Sequence, residues 1–186
     1  MDTLGLEEKH GIDGRWTPIG GLLHWEKTQP DTAYLHQPQP DGERVYTWAE
    51  VADQVRRMAS HLHSLDYPKG SRIALLSKNS AHWFMAELAI WMAGYVSVPV
   101  YPSLNPKTLK YILDHSESQL LFLGRVDDWA SMAEGLPADL PVICLPDAPV
   151  ISNLSRVRQW DALVESESPL RNVHIAQQED LATVVY

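Results

Sequence analysis

Three observations predict a layered α/β fold built on a parallel sheet flanked by helices. The stretch 72–106, RIALLSKNSAHWFMAELAIWMAGYVSVPVYPSLNP, reads as strand, buried helix, strand and proline-rich turn, a βαβ unit. Its strand-like runs, 73–76 and 96–100, read as continuous apolar runs rather than alternating ones, as expected of parallel strands covered on both faces. The alternation of apolar strand and amphipathic helix then continues towards the end of the chain.

Residues 1–30 read as a leader, because Gly11, Gly14, Pro18, Gly20 and Gly21 interrupt any regular element and only 22–27 has room for one or two helical turns. The α/β unit is expected over 31–186. Segments 33–36 and 44–46 flank the polar turn QPQPDGE and predict a hairpin. Thr47 then caps a helix with Glu50 as its capping-box partner, and Val51, Val55, Met58, Leu62 and Leu65 fall on one face. That helix stops at DYPKG. In the βαβ unit, Asn79 or Ser80 caps the helix and Gly94 ends it. Asn105 and Pro106 form an N-cap and N1 pair for a helix whose face is Leu109, Ile112 and Leu113. A strand at 120–123, a helix at 127–134 opening on two acids, and a strand at 142–145 follow. Beyond them, 160–164 reads as a short helix, 165–169 as a polar linker, and 181–186 as a central strand. No internal repeat or low-complexity tract appears.

With 186 residues the chain has the size of one domain, enough to remove about 70% of its unfolded surface from water. A net charge of −9 repels nucleic acid and anionic membrane at long range, so neither is expected as a main partner. The single Cys144 excludes an internal disulfide and, sitting in an apolar run, reads as core in a reducing compartment; a cytoplasmic location is expected. The N-terminus MDTLGLEEKH lacks the apolar region of a secretory signal. Segment 81–100 contains His82, Glu87, Gly94 and Pro99 and reads as buried helix plus strand rather than a membrane span.

In open parallel sheets the ligand crevice lies outside the carboxyl ends of the strands. Those ends are expected at 77–79, 101–103, 124–125 and 146–147. The ten glycines form neither GxGxxG nor GxxxxGK, which removes sequence support for a dinucleotide fold or a Walker site.

The string SKNSAHWFMAELAIWMAGYVSVPVYPSLNPKTLKYILDHSESQLLFLG, preceded by YTWAEVADQVRRMASHL and followed at the end by EDLATVVY, closely resembles the N-terminal part of acyl-CoA synthetases of the adenylate-forming (AMP-binding) superfamily. The resemblance spans about 20–186 and is strongest to bacterial long-chain fatty acid CoA ligases. It implies the N-terminal portion of the acyl-CoA synthetase-like fold, incomplete at the C-terminus, because in the family DLATVVY runs into a TSGTTG phosphate loop. The implied chemistry has two half-reactions. A fatty acid carboxylate attacks the α-phosphate of ATP, with Mg²⁺ shielding the phosphates, and the thiol of coenzyme A then displaces AMP. The implied catalytic groups lie beyond this chain. The isolated fragment is therefore expected to be inactive and to hold no cofactor tightly, with fatty acid, ATP and coenzyme A bound through the remaining part and peripheral membrane contact compatible with such substrates.

For site residues the resemblance points to Tyr101, Pro102 and Ser103, matching the turn that helps line the pantetheine channel of coenzyme A in related enzymes. That channel is glycine-rich, and Pro102 with Ser103 depart from it. A tight turn delivering Asn105 to its helix explains the same residues. Lys78 and Asn79 read as a solvated lysine and an N-cap. His61 and His63, two apart on a helix, point to different faces, so no metal site is expected. Asp127 and Asp128 read as complements to a helix dipole, and Trp83 and Trp91 as core. Other adenylate-forming enzymes (an aryl-CoA ligase, a fatty acyl-AMP ligase, a peptide-synthetase domain), a non-catalytic docking module of the same family, and a nucleotide-binding oxidoreductase are the competing readings.

Overall fold

The computed structural model describes residues 17–151, 156–177 and 179–186. Five parallel strands, β3 (Arg72–Leu76), β4 (Val96–Val100), β5 (Leu120–Leu123), β6 (Val142–Cys144) and β7 (Val157–Gln159), lie in the order β4-β3-β5-β6-β7. Ile73 and Leu75 of β3 face one core and Ala74 and Leu76 the other, so successive side chains of one strand feed both layers. This double burial is why the strands read as apolar runs.

The first layer contains α1 (Pro18–Thr28), α2 (Trp48–Ser64), α3 (Ala81–Met92) and α6 (Trp160–Ser166), packed with Ile73, Leu75, Phe122 and Ile143. The second contains α4 (Pro106–Ser116) and the short α5 (Trp129–Met132), over Ala74, Leu76, Leu121 and Val142. A separate antiparallel hairpin, β1 (Ala33–Gln39) and β2 (Gly42–Thr47), joins α1 to α2. It is tied to α3 where Gln37 Oε1 accepts the Ala81 N–H at 2.8 Å.

Local chemistry sets the helix ends. Thr47 Oγ1 accepts the Glu50 N–H at 3.2 Å and Glu50 Oε2 accepts the Thr47 N–H at 2.8 Å, the reciprocal box expected from the sequence. Val51, Val55, Met58 and Leu62 are all buried along α2, while Leu65, just past its end, is half-buried. For α3 the cap is Ser80, whose Oγ accepts the Trp83 N–H at 3.1 Å, and not Asn79. Gly94 follows α3 with φ +82°, a left-handed conformation that a side chain would strain. Asn105 Oδ1 caps α4 at the Thr108 N–H, 2.9 Å away, with Pro106 as first residue.

Several expectations are corrected. Residues 1–16 of the expected leader lie outside the described residues, but Gly20 and Gly21 do not break the chain: they sit inside α1, an eleven-residue helix. Thr17 Oγ1 accepts the Gly20 N–H at 3.0 Å, Pro18 occupies the first turn, and Ile19 and Leu22 are buried against the core, which together outweigh the cost of two helical glycines. The helix expected at 127–134 is one α-turn followed by a 3₁₀ turn at Ala133–Gly135; Asp128 caps it, whereas Asp127 pairs with Lys78. β7 was not anticipated, since three residues with polar Arg158 and Gln159 at a sheet edge carry no apolar run. The segment 181–186 is not a central strand. It lies along the outer edge of β4 with one parallel bridge, Ser97 to Thr183. Extension of that pairing is blocked where β4 offers Pro99, which has no N–H to donate.

A Cβ built on Gly135 would stand 2.3 Å from the backbone carbonyl oxygen of Pro106. Because that oxygen belongs to the main chain at the start of α4, the contact cannot be relieved by a side-chain rotation. Gly135→Ala is expected to lose about 1–3 kcal/mol in urea denaturation; unchanged stability would show that the two segments do not meet so closely.

Candidate site at the carboxyl ends of the strands

The loops after β3, β4, β5 and β6 gather at one end of the sheet, the end where parallel α/β sheets bind ligands. A cleft of about 180 Å³ opens there, walled by Ser77, Asn79, Trp83, Tyr101, Pro102 and Val185. Of the expected site residues, Tyr101 (65% exposed) and Pro102 are on this wall; Ser103 is exposed and does not line it. Ser77 is buried, and its hydroxyl donates to the Lys78 carbonyl at 2.7 Å. Lys78 is not simply solvated: its ammonium pairs with Asp127 and its N–H donates to the Arg125 carbonyl at 2.8 Å, linking the loops after β3 and β5.

Trp83 and Trp91, expected in the core, pack against it only in part. Both flank the 181–186 segment: Trp83 shares the cleft wall with Val185, and Trp91 Nε1 donates to the Ala182 carbonyl at 2.8 Å. Next to them lies a polar chain that the sequence reading missed. Ser97, fully buried, donates its hydroxyl to Glu87 Oε1 at 3.1 Å and meets Thr183 Oγ1 at 3.0 Å. Two signals pointed to it: Ser97 is the hydroxyl in the run VSVPV, and Glu87 is the acid in the apolar AHWFMAELAIWM. Burial pushes the Glu87 carboxyl above its ordinary value, and the Ser97 hydrogen bond partly offsets this.

A larger apolar cavity of about 380 Å³ lies at the opposite end, where β3 and β4 begin, against Ile19, Trp91, Tyr95 and Leu181. Its charged rim is self-satisfied, as Asp180 stands 3.2 Å from both Lys69 and His174. The geometry of parallel sheets favours the smaller cleft despite its size. That cleft carries no pair of titratable side chains poised for proton transfer and no nucleophile beside a base. Among the described residues, no three His, Cys, Asp or Glu side chains converge on a possible metal position. His61, rather than facing His63, meets Glu167 Oε1 at 3.1 Å. Among the described residues no helix is long and apolar enough to cross a membrane. What the cleft offers is a binding wall of ring, hydroxyl and backbone groups.

A parallel sheet covered on both faces, with its cleft at the carboxyl ends of the strands, defines an α/β scaffold of the ligand-binding type. Residues 22–186 match the family model described as AMP-binding enzyme, and the chain belongs to that family. It is 29% identical over 169 residues to the long-chain-fatty-acid–CoA ligase FadD15 of Mycobacterium bovis, covering 89% of this chain and 28% of that protein. It is 27% identical over 120 residues to the uncharacterized protein Rv1549 of Mycobacterium tuberculosis, covering 64% of this chain and 67% of the relative. The fold is shared with a benzoate CoA ligase from Burkholderia xenovorans LB400, at a TM-score of 0.69 and 21% identity over 89% of this chain and 31% of that one. The chain thus spans under a third of the length of FadD15 and of the benzoate ligase chain.

The Glu87 carboxyl holds its proton more tightly in the folded chain than in the unfolded one, where its value is about 4.5. Its favourable contribution is therefore full below that value and is lost as pH rises through the raised one. Glu87→Gln, neutral throughout and still able to accept from Ser97, is expected to melt above the wild type at pH 7–8, the gap closing as pH falls through the carboxylate range. Coincident thermal melts at every pH would show that Glu87 is not desolvated.

Proposed function

We propose that the chain is the N-terminal α/β part of an ATP-dependent acyl-CoA ligase that activates a long-chain fatty acid as its acyl-adenylate and passes it to coenzyme A. The observation that carries this reading is the similarity to FadD15 across 89% of the chain, within a family that the sequence model matches over 22–186. ATP and coenzyme A would be the co-substrates, with Mg²⁺ shielding the phosphates. In this reading the cleft wall formed by Tyr101 and Pro102 lies along the pantetheine arm of coenzyme A, with Ser103 at its outer lip. The cleft supplies positioning. The phosphate donors and the acid–base groups would come from a further part of a ligase of the relatives' length, and a buried, unpaired Cys144 suits a reducing cytoplasm.

A second reading, a non-catalytic module of the same family, is favoured by one observation: two thirds of Rv1549 aligns with this chain, so a relative of comparable size exists. Both are tested by reading the codons that follow Tyr186 in the source DNA and assaying the encoded protein for acid-dependent exchange of pyrophosphate into ATP. A TSGTTG-like loop, exchange stimulated by long-chain fatty acids, and AMP release on adding coenzyme A are expected. A stop codon directly after Tyr186 would overturn the ligase reading in favour of the module, and exchange with an aromatic acid alone would overturn the fatty acid assignment.

A further inference from the structure

The outer edge of β4 offers an incoming strand little to grip. The N–H of Tyr95 is taken by the Ile90 carbonyl at 3.0 Å, and Pro99 has none. Ser97 alone presents both backbone groups there: its N–H donates to the Ala182 carbonyl and its carbonyl accepts the Val184 N–H, each at 2.9 Å. Backbone bonds of this kind do not distinguish one register from the next, because a slip by two residues reproduces them. The side chains do distinguish. With Thr183 opposite Ser97 the two hydroxyls meet at 3.0 Å, and a slip by two would press Leu181 or Val185 onto a buried hydroxyl.

We propose that Glu87, Ser97 and Thr183 form a register lock on the β4 edge of the sheet, so that Ser97 and Thr183 are positioning residues for the carboxyl-end cleft. The Ser97 hydroxyl donates its proton to Glu87 Oε1, so its oxygen takes the proton of Thr183: the relay has one direction. Two further ties hold the same register, Trp91 Nε1–H to the Ala182 carbonyl and the Tyr186 hydroxyl to His115 Nδ1, both 2.8 Å. The outcome is that Val185 stands on the cleft wall with Trp83 and Tyr101. The lock sets where the chain reaches the site, and its importance for the reaction rests on the ligase reading above.

Amide hydrogen exchange by NMR on the 186-residue chain tests it, with pantetheine titrated at millimolar concentration and followed at Tyr101 and Val185. Thr183→Val preserves shape and removes the hydroxyl; Ser97→Ala removes its partner. Both are expected to speed exchange of the Val184 N–H roughly tenfold, with Thr183→Ser within about twofold of wild type. The Leu121 N–H, bonded to the Pro141 carbonyl inside the sheet, should be unchanged in all three. Unchanged exchange at Val184 in Thr183→Val, or equal acceleration at Leu121, overturns the lock. Faster exchange at Val184 supports the lock whatever pantetheine does, and absence of a pantetheine response at Tyr101 and Val185 in the full-length encoded protein overturns the coenzyme assignment of the cleft alone.

Discussion

The structure depends on β3 being buried on every side. It sits between β4 and β5 in the sheet, and its side chains from Ile73 to Leu76 alternate between two apolar cores with no water on either face. A strand in that position must be covered by helices above and below, which fixes the layer order and makes the crossovers from β3 to β4 and from β4 to β5 the helices α3 and α4. The same constraint sends the loops after β3, β4 and β5 to one end, so the place of the cleft is a consequence of the core rather than an addition to it. The helices then need only one good face each, and α2 and α4 carry such stripes.

An interior this apolar tolerates polar groups only when they are paired. Ser77 donates to a backbone carbonyl, Ser116 to the Leu113 carbonyl at 3.3 Å, and Ser97 to Glu87. His82 lies edge-on to both Tyr46 and Trp160, its ring centroid 5.7 Å from each, and burial holds its pKa below the ordinary histidine value, which disfavours the charged ring. Burial likewise pushes the Cys144 thiol up, so it behaves as a core residue. The Glu87 group differs from these because it spans two segments far apart in the chain. There a polar contact does what apolar packing cannot, selecting one register among equivalent ones.

Much of this was legible in the sequence. The capping box at Thr47 and Glu50, the Asn105–Pro106 start of α4, the glycine after α3 and the strands β3 to β6 each follow from local chemistry that no distant contact overrides. What escaped reading depends on contacts between distant residues. The helix α1 exists because Ile19 and Leu22 find the core, β7 because β6 needs an edge partner, and the 181–186 segment lies at the sheet edge because Ser97 is where the edge can pair. The site shows the same division. Strand topology placed the cleft and brought Tyr101 and Pro102 to its wall, whereas Ser103 lies outside that lining and the roles of Glu87, Ser97 and Thr183 appear only once residues 87 and 183 are seen to meet at Ser97.

Double-sided burial of β3 is tested most directly by equilibrium urea denaturation of Leu75→Ala and Leu76→Ala, which remove neighbouring side chains from opposite faces of one strand. Both variants are predicted to lose stability by about 2–5 kcal/mol, since each leaves a cavity in a closed core. A large loss in one variant with almost none in the other would mean that one face of the sheet is open to water, contradicting the layered fold on which the position of the cleft depends.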